Sequence, residues 1–324
     1  MNGNQQKVGL ALSGGGARGL AHVGVLKALL AAGIQPCCIA GTSIGAVVGA
    51  LYAVGHDVPA LETEALQLAS MSKLIRFIDW LPSWHGLMDG KAIYNHLNRL
   101  LGPGTTFADL RLPLGVTATD LTSGQAIDIT SGPVIDAVRA SLSLLGLFKP
   151  VRRNQQRLVD GGFLNHLPVD LARDLGAELV IAVDVQGCVV EEPPLRSTKP
   201  TRRGRTNMTP PMLQDMMQIN TLMVREITRL RLEQARPELL ITPRLDEAVG
   251  TIGGLDQIEA IIQQGYEATQ AALPQLWQQV DRTEPSTESS RTRNTADGHS
   301  RYSGDLADPS QRGRGLPAGQ AALL

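Results

Sequence analysis

Val8 to Leu12 is a short apolar run that breaks at Ser13-Gly14-Gly15-Gly16, after which Leu20, Val23, Leu26, Leu29 and Leu30 recur at helical spacing as far as Gly33. The pattern predicts strand, glycine loop and helix, with Gly33 as the stop. Ile34 to Ala40 predicts a second strand, and Ile44 to Val54 a helix whose Gly45, Ala46, Gly49 and Ala50 allow close packing on a sheet. The chain up to Val54 therefore reads as a right-handed β-α-β-α unit. From Pro59 to Leu101 the pattern is helical and irregular. Strands are predicted at Leu114–Thr119, Ala126–Thr130, Arg157–Val159, Leu179–Val185 and Leu239–Thr242. Helices are predicted at Pro133–Ser141, Pro168–Leu175, Pro211–Gln234 and Gln257–Val280.

The length of 324 residues suits one large α/β domain. Composition changes the picture only at particular places. Residues 188–206 are rich in Pro, Arg, Thr and Ser and read as a surface loop, and beyond Arg282 large apolar residues almost vanish, so residues 283–324 are expected to be a disordered tail. Ala28 to His56 lacks charge and is long enough to suggest a membrane span, but Gly33, Pro36, Gly41 and Gly45 punctuate it as a buried strand-turn-helix. Thirty basic against 31 acidic residues leave no global field toward nucleic acid or an anionic bilayer, so no nucleic-acid partner is expected and any membrane contact must be local. Three cysteines make no disulfide framework and lack paired zinc-site spacing, which fits a reducing compartment. The apolar stretch near the N-terminus is too short for a signal-peptide core, so a cytoplasmic location is expected.

Gly41-Thr42-Ser43-Ile44-Gly45 fits G-x-S-x-G, in which flanking glycines let a strand bend sharply into a helix and expose the serine hydroxyl at the bend. It lies between a predicted strand and a predicted helix, the context that the motif needs. Gly14, Gly15 and Gly16 follow the first strand of the same parallel unit, where backbone amides free of Cβ interference can face a developing oxyanion. For the base, none of the six histidines is convincingly placed, although His166 follows the Asp160-Gly161-Gly162 turn and merits a mutational test. Asp160 ends a strand before two glycines and can share an edge with Ser43. A turn aspartate bonded to its own backbone is the other reading.

The ordered set Gly-Gly-Gly-Ala-Arg-Gly (14–19), Gly-Thr-Ser-Ile-Gly (41–45) and Asp-Gly-Gly (160–162) resembles the patatin-like phospholipase family over roughly residues 7–280. The resemblance implies a three-layer α/β/α fold with a mostly parallel central sheet, filling residues 1–282, with a helical insert at about 58–101. It implies that Ser43 is the nucleophile, that Asp160 completes a Ser-Asp dyad without histidine, and that Gly14, Gly15 and Gly16 form the oxyanion hole. Arg18, Gly41, Gly45, Gly161 and Gly162 would support them, with no metal and no cofactor. Ser141-Leu142-Ser143-Leu144-Leu145-Gly146 departs from relatives that often carry a proline before the glycine, which bears on activity level.

The resemblance makes carboxyl-ester lipids, phospholipids or lysophospholipids, the expected substrates. Lys73 to Met88 holds Trp80 and Trp84 among Leu and Ile and reads either as a cap on an acyl pocket with peripheral membrane contact, or as ordinary packing. Met208 to Met223 carries five of the eight methionines and is expected in the core rather than as a lid. Three competing functions stay open. Gly14-x-Gly16-x-x-Gly19 satisfies the dinucleotide fingerprint, although no Asp or Glu precedes Asp57 to hold a ribose. An ordinary α/β-hydrolase triad would place its elbow after more strands. A lipid-binding protein of low turnover would keep the fold. Oligomeric state is not encoded in any visible pattern.

Overall fold

A computed structural model describes residues 6–70, 90–144, 148–188, 211–246 and 257–283. Strands β1 (Val8–Leu12), β2 (Cys38–Thr42), β3 (Leu114–Asp120), β7 (Leu179–Val183) and β8 (Leu239–Ile241) run parallel in the order β3-β2-β1-β7-β8. Their runs of Val, Ile, Leu and Ala are buried on both faces, the pattern of a covered parallel sheet. On one face Leu10, Leu12, Ile39, Ile181 and Val183 pack under α1 (Ala21–Ala31), α2 (Ile44–Val54) and α8 (Ile258–Thr283). On the other, Ala11, Ala40, Val180 and Ala182 meet Leu171 and Ala172 of α6 (Val169–Asp174) and Leu232 of α7 (Pro211–Ala235). The result is the three-layer arrangement expected from the sequence.

The remaining strands form an antiparallel annex. Strand β4 (Gln125–Ile129) lies along β3 and pairs it from Val116 to Asp120. Its occupation of that edge means that β2, which pairs Ile39–Thr42 with Leu114–Thr117, and β6 (Gln156–Asp160), which pairs Leu158–Asp160 with Ala118–Asp120, share the other edge of β3. They approach each other end to end. Thr42 is opposite Thr117 and Asp160 is opposite Ala118, so the residue after β2 and the last residue of β6 are brought together by adjacent positions on β3. Strand β5 (Val151–Arg153) closes the annex against β6.

Two boundaries and one expectation of burial differ from the sequence reading. Strand β2 starts at Cys38 rather than Ile34, because pairing to Gly9 begins there and Pro36 brings no amide to a ladder. The first helix opens as a 3-10 turn at Gly16–Leu20 before α1. The Met-rich expectation of burial is also overturned where it can be seen: Met223 is 58% exposed on α7, beside exposed Ile219 and Leu222. Helices α3 (Val58–Ser70) and α4 (Lys91–Leu101) flank residues 71–89. The Lys73–Met88 cap, most of the 188–206 loop and the 284–324 tail lie outside the described residues. Among the described residues no helix is long and apolar enough to cross a membrane, and the uncharged stretch from Ala28 to His56 is the end of α1, then β2 and α2.

Candidate active site

Ser43 is the residue at which β2 turns into α2, and its backbone has φ 54° and ψ −121°. A non-glycine residue there costs roughly 1–3 kcal/mol, so surrounding structure must impose the bend. Gly41 and Gly45 supply the room: a Cβ on Gly41 would sit 2.6 Å from the carbonyl oxygen of Gly45, and one on Gly45 would run into the carbonyls of Leu12 and Ser13. The strained serine is also tied down. Its amide donates to Ser141 Oγ at 2.7 Å, and that hydroxyl donates to the Thr117 carbonyl at 2.7 Å.

Ser43 Oγ donates to Asp160 Oδ2 at 2.8 Å, while Gly162 N–H donates to Asp160 Oδ1 at 2.8 Å. Gly161 permits the turn by lying against the Thr117 carbonyl, where a Cβ would collide. Burial raises the Asp160 carboxyl to about 6, and the bonds from Gly162 and Ser43 hold it from going higher. The amide of Asp160 donates to the Ser143 carbonyl at 3.0 Å. Thus the end of α5 (Val134–Ser141) and the residues just after it hold both partners, Ser43 through Ser141 and Asp160 through Ser143. Arg139, buried on α5, donates to Ser143 Oγ at 2.6 Å and lies over the Phe148 ring.

The glycine loop lies next to this pair, since a Cβ on Gly14 would be 3.4 Å from that of Ser43. The amide of Gly14 itself donates to the His166 carbonyl at 3.1 Å, which makes Gly14 an anchor of the loop. Gly15 and Gly16 follow with φ of 152° and 59°, a conformation open to glycine, and their amides are the loop's candidate donors. Two buried imidazoles grip the loop. His22 bonds the Ser13 carbonyl at 2.9 Å, and the Nδ1 side of His166 lies against Gly14. Burial lowers both rings to about 4, so they are neutral near pH 7. Among the described residues, no histidine hydrogen-bonds Ser43 or Asp160. Arg18 is half-buried on the 3-10 turn, one turn beyond Gly15.

The sequence reading brought out Ser43, Asp160 and the glycines, and the fold gathers them at one sheet edge. It missed Ser141, Arg139 and Ser143 as site residues. Their one visible signal was two serines two positions apart in an otherwise apolar run, in the segment 141–146 that departs from relatives carrying a proline before the glycine. A cleft lined by Phe107, Leu110, Pro113 and Leu175 opens at the start of β3, whose Leu114 pairs with Ile39, four positions before Ser43.

The family model for patatin-like phospholipase matches residues 10–173, about half of the chain. A patatin-like phospholipase domain-containing protein of Caenorhabditis elegans is 40% identical over 181 residues, covering 55% of this chain and 13% of that protein. An uncharacterized NTE family protein of Mycobacterium bovis is 35% identical over 196 residues, 60% of this chain and 52% of that one. Human patatin-like phospholipase domain-containing protein 6 is 37% identical over 182 residues, 55% and 13% of the two chains. The chain thus spans between an eighth and about half of the length of these relatives. Among solved structures, VipD from Legionella pneumophila aligns with a TM-score of 0.47 at 15% identity, over 83% of this chain and 66% of that one.

Proposed function

Because the chain belongs to the patatin-like phospholipase family, we propose that it is a serine acyl hydrolase that cleaves carboxyl esters of lipids, phospholipids or lysophospholipids, through a dyad of Ser43 and Asp160. The observation that carries this is the 2.8 Å bond from Ser43 Oγ to Asp160 Oδ2 at a strained strand-to-helix bend. Asp160 takes the hydroxyl proton as Oγ attacks the ester carbonyl. The oxyanion develops beside the amides of Gly15 and Gly16, and the N-terminus of α2 adds positive potential at Ser43. Collapse expels the alcohol, which leaves with the proton from Asp160. Water, deprotonated by the same carboxylate, then attacks the acyl-enzyme, releases the fatty acid and returns Ser43.

A base with a pKa of about 6 is better matched to this task near neutral pH than an ordinary carboxylate. Every atom of the reaction comes from ester and water, so the proposed chemistry uses no cofactor. The exposed Ile219, Leu222 and Met223 on α7 support peripheral contact with lipid, because α7 also packs beside the turn at Gly161–Phe163. The test is to treat the protein and its Ser43→Ala variant with a fluorophosphonate probe and map the adduct by peptide mass, then to assay fatty-acid release from phosphatidylcholine and lysophosphatidylcholine. Labelling at Ser43 with ester release that Ser43→Ala and Asp160→Asn both lose is the expected result. A folded protein that neither labels nor releases fatty acid would overturn the reading.

A further inference from the structure

Behind the glycine loop lies a second cluster that the hydrolase mechanism does not use. The strand register puts it there: Leu12 at the end of β1 is flanked by Gly41 of β2 on one side and Val183 of β7 on the other. The loop therefore has Ser43 to one side and the turn leaving β7 to the other. That turn carries Asp184 and Cys188, and His166 reaches the same place from the segment after Asp160. One ligand atom each from His166, Asp184 and Cys188 lie within 4.8 Å of one another, and all three residues are buried. We propose that His166, Asp184 and Cys188 bind a divalent ion of the zinc class, which braces the glycine loop from behind.

The imidazole is prepared for such a role. Its Nδ1 side bonds the Gly14 backbone, whereas the buried Nε2 has no hydrogen-bond partner. A ring whose N–H is engaged by a carbonyl presents a lone pair at the other nitrogen, the arrangement found in metal-bound histidines. The carboxylate is oriented as well. Asp184, 0% exposed, accepts from the amide of Gln186 at 3.0 Å and from that of Cys188 at 2.6 Å, and it also meets the Gly187 amide and the Cys188 thiol. Cys188 is 5% exposed and so lacks the access of a reactive thiol.

One nitrogen, one oxygen and one sulfur ligand fit zinc or a similar transition ion and disfavour the all-oxygen preference of magnesium and calcium. With zinc–ligand bonds of about 2.0–2.3 Å, ligand pairs would stand about 3.3–3.7 Å apart, so side-chain shifts of about 1 Å close the site. The ion would join the β7 exit turn to His166, whose carbonyl accepts the Gly14 amide. Its role is positioning, since none of the three ligands touches Ser43 or Asp160 by a hydrogen bond. The competing arrangement has the same cluster held by hydrogen bonds alone, with the Cys188 thiol donating to Asp184.

The deciding experiment uses the full chain, expressed in zinc-supplemented medium and purified without chelator. Metal content is measured by mass spectrometry, and the metal-stripped chain is titrated with cobalt(II) while thiolate-to-cobalt charge transfer is followed in the near ultraviolet. About one zinc per chain is expected, with a cobalt–thiolate band at the same stoichiometry. His166→Ala and Cys188→Ala should each lose most of the metal and the band, while Cys37→Ala and Ser43→Ala keep both. The last variant separates this site from the dyad, because it removes the proposed nucleophile without touching a ligand. A wild-type chain with background zinc and no cobalt band overturns the proposal whether or not the variants fold. So does zinc that survives in a folded Cys188→Ala.

Discussion

Asp160 carries two consequences of being a buried carboxyl. If it is the base, the acid limb of kcat/KM should follow its ionisation, with activity rising tenfold per pH unit below about 6 and levelling above. A pH–rate profile checks this, and a limb near the ordinary carboxylate value would show that another group controls the rate. The effect on stability has the opposite sign. The folded protein holds this proton to higher pH than the unfolded chain, so the contribution of Asp160 to stability declines as pH rises from about 4 to about 6. Asp160→Asn should therefore abolish turnover while its melting temperature at pH 8 equals or exceeds that of the wild type. Ser141 makes a different case. Ser141→Ala leaves the Ser43 amide without its partner, and a stability loss of about 1–3 kcal/mol is expected. Turnover should fall at least tenfold with KM little changed, read from steady-state kinetics. Ser43 and Asp160 were legible because glycines flank them and name the bend. Ser141 was not, because its bond spans 98 positions and no local pattern marks it.

The elements show the same division between local and long-range information. Helices α2, α5 and α6 fell where the apolar pattern placed them, since α6 buries Val169, Leu171 and Ala172 and most residues of α2 and α5 are buried. Strand β5 was missed because Val151-Arg152-Arg153 is three residues long, partly exposed and rich in charge, and it exists through its pairing to β6. Gly24 is the more instructive residue. In a helix interior it looks like a weakness, since alanine is favoured over glycine there by about 1 kcal/mol. Here α1 crosses α8 at that point. A Cβ on Gly24 would press into the Ile262 carbonyl and lie 2.7 Å from the Tyr266 nitrogen, and Gly265 faces the Ala21 carbonyl in the same way. Gly24→Ala should thus destabilise the protein by about 1–3 kcal/mol, with Gly24→Val worse. Urea denaturation followed by far-ultraviolet circular dichroism measures it, and a stabilised Gly24→Ala would mean that the helices are not in backbone contact there.

At the scale of the molecule, the candidate dyad lies across a seam between two parts of unequal burial. Ser43 belongs to the parallel half, where β2 and β7 are buried throughout. Asp160 belongs to the annex, whose β4 is exposed at Gln125 and Asp128 and whose β5 has no buried residue. Across the seam lie β3, which pairs with both strands, and the two serines at and just after the end of α5. Regions with fewer buried apolar contacts and more exposed backbone bonds open at lower free energy than the core. The annex should therefore exchange its amides first, so that peptides covering residues 125–130 and 151–157 lose protection before those covering 8–12, 38–42 and 179–183. An opening of the annex removes Asp160 from Ser43 while the parallel core stays folded. Activity should accordingly disappear at a urea concentration below the midpoint of the circular dichroism transition, with reversal on dilution. Hydrogen exchange read by mass spectrometry and residual activity in urea test the two halves of the argument separately. Equal protection of annex and core, with activity and secondary structure lost together, would mean that β3 and α5 bind the two parts into one cooperative unit.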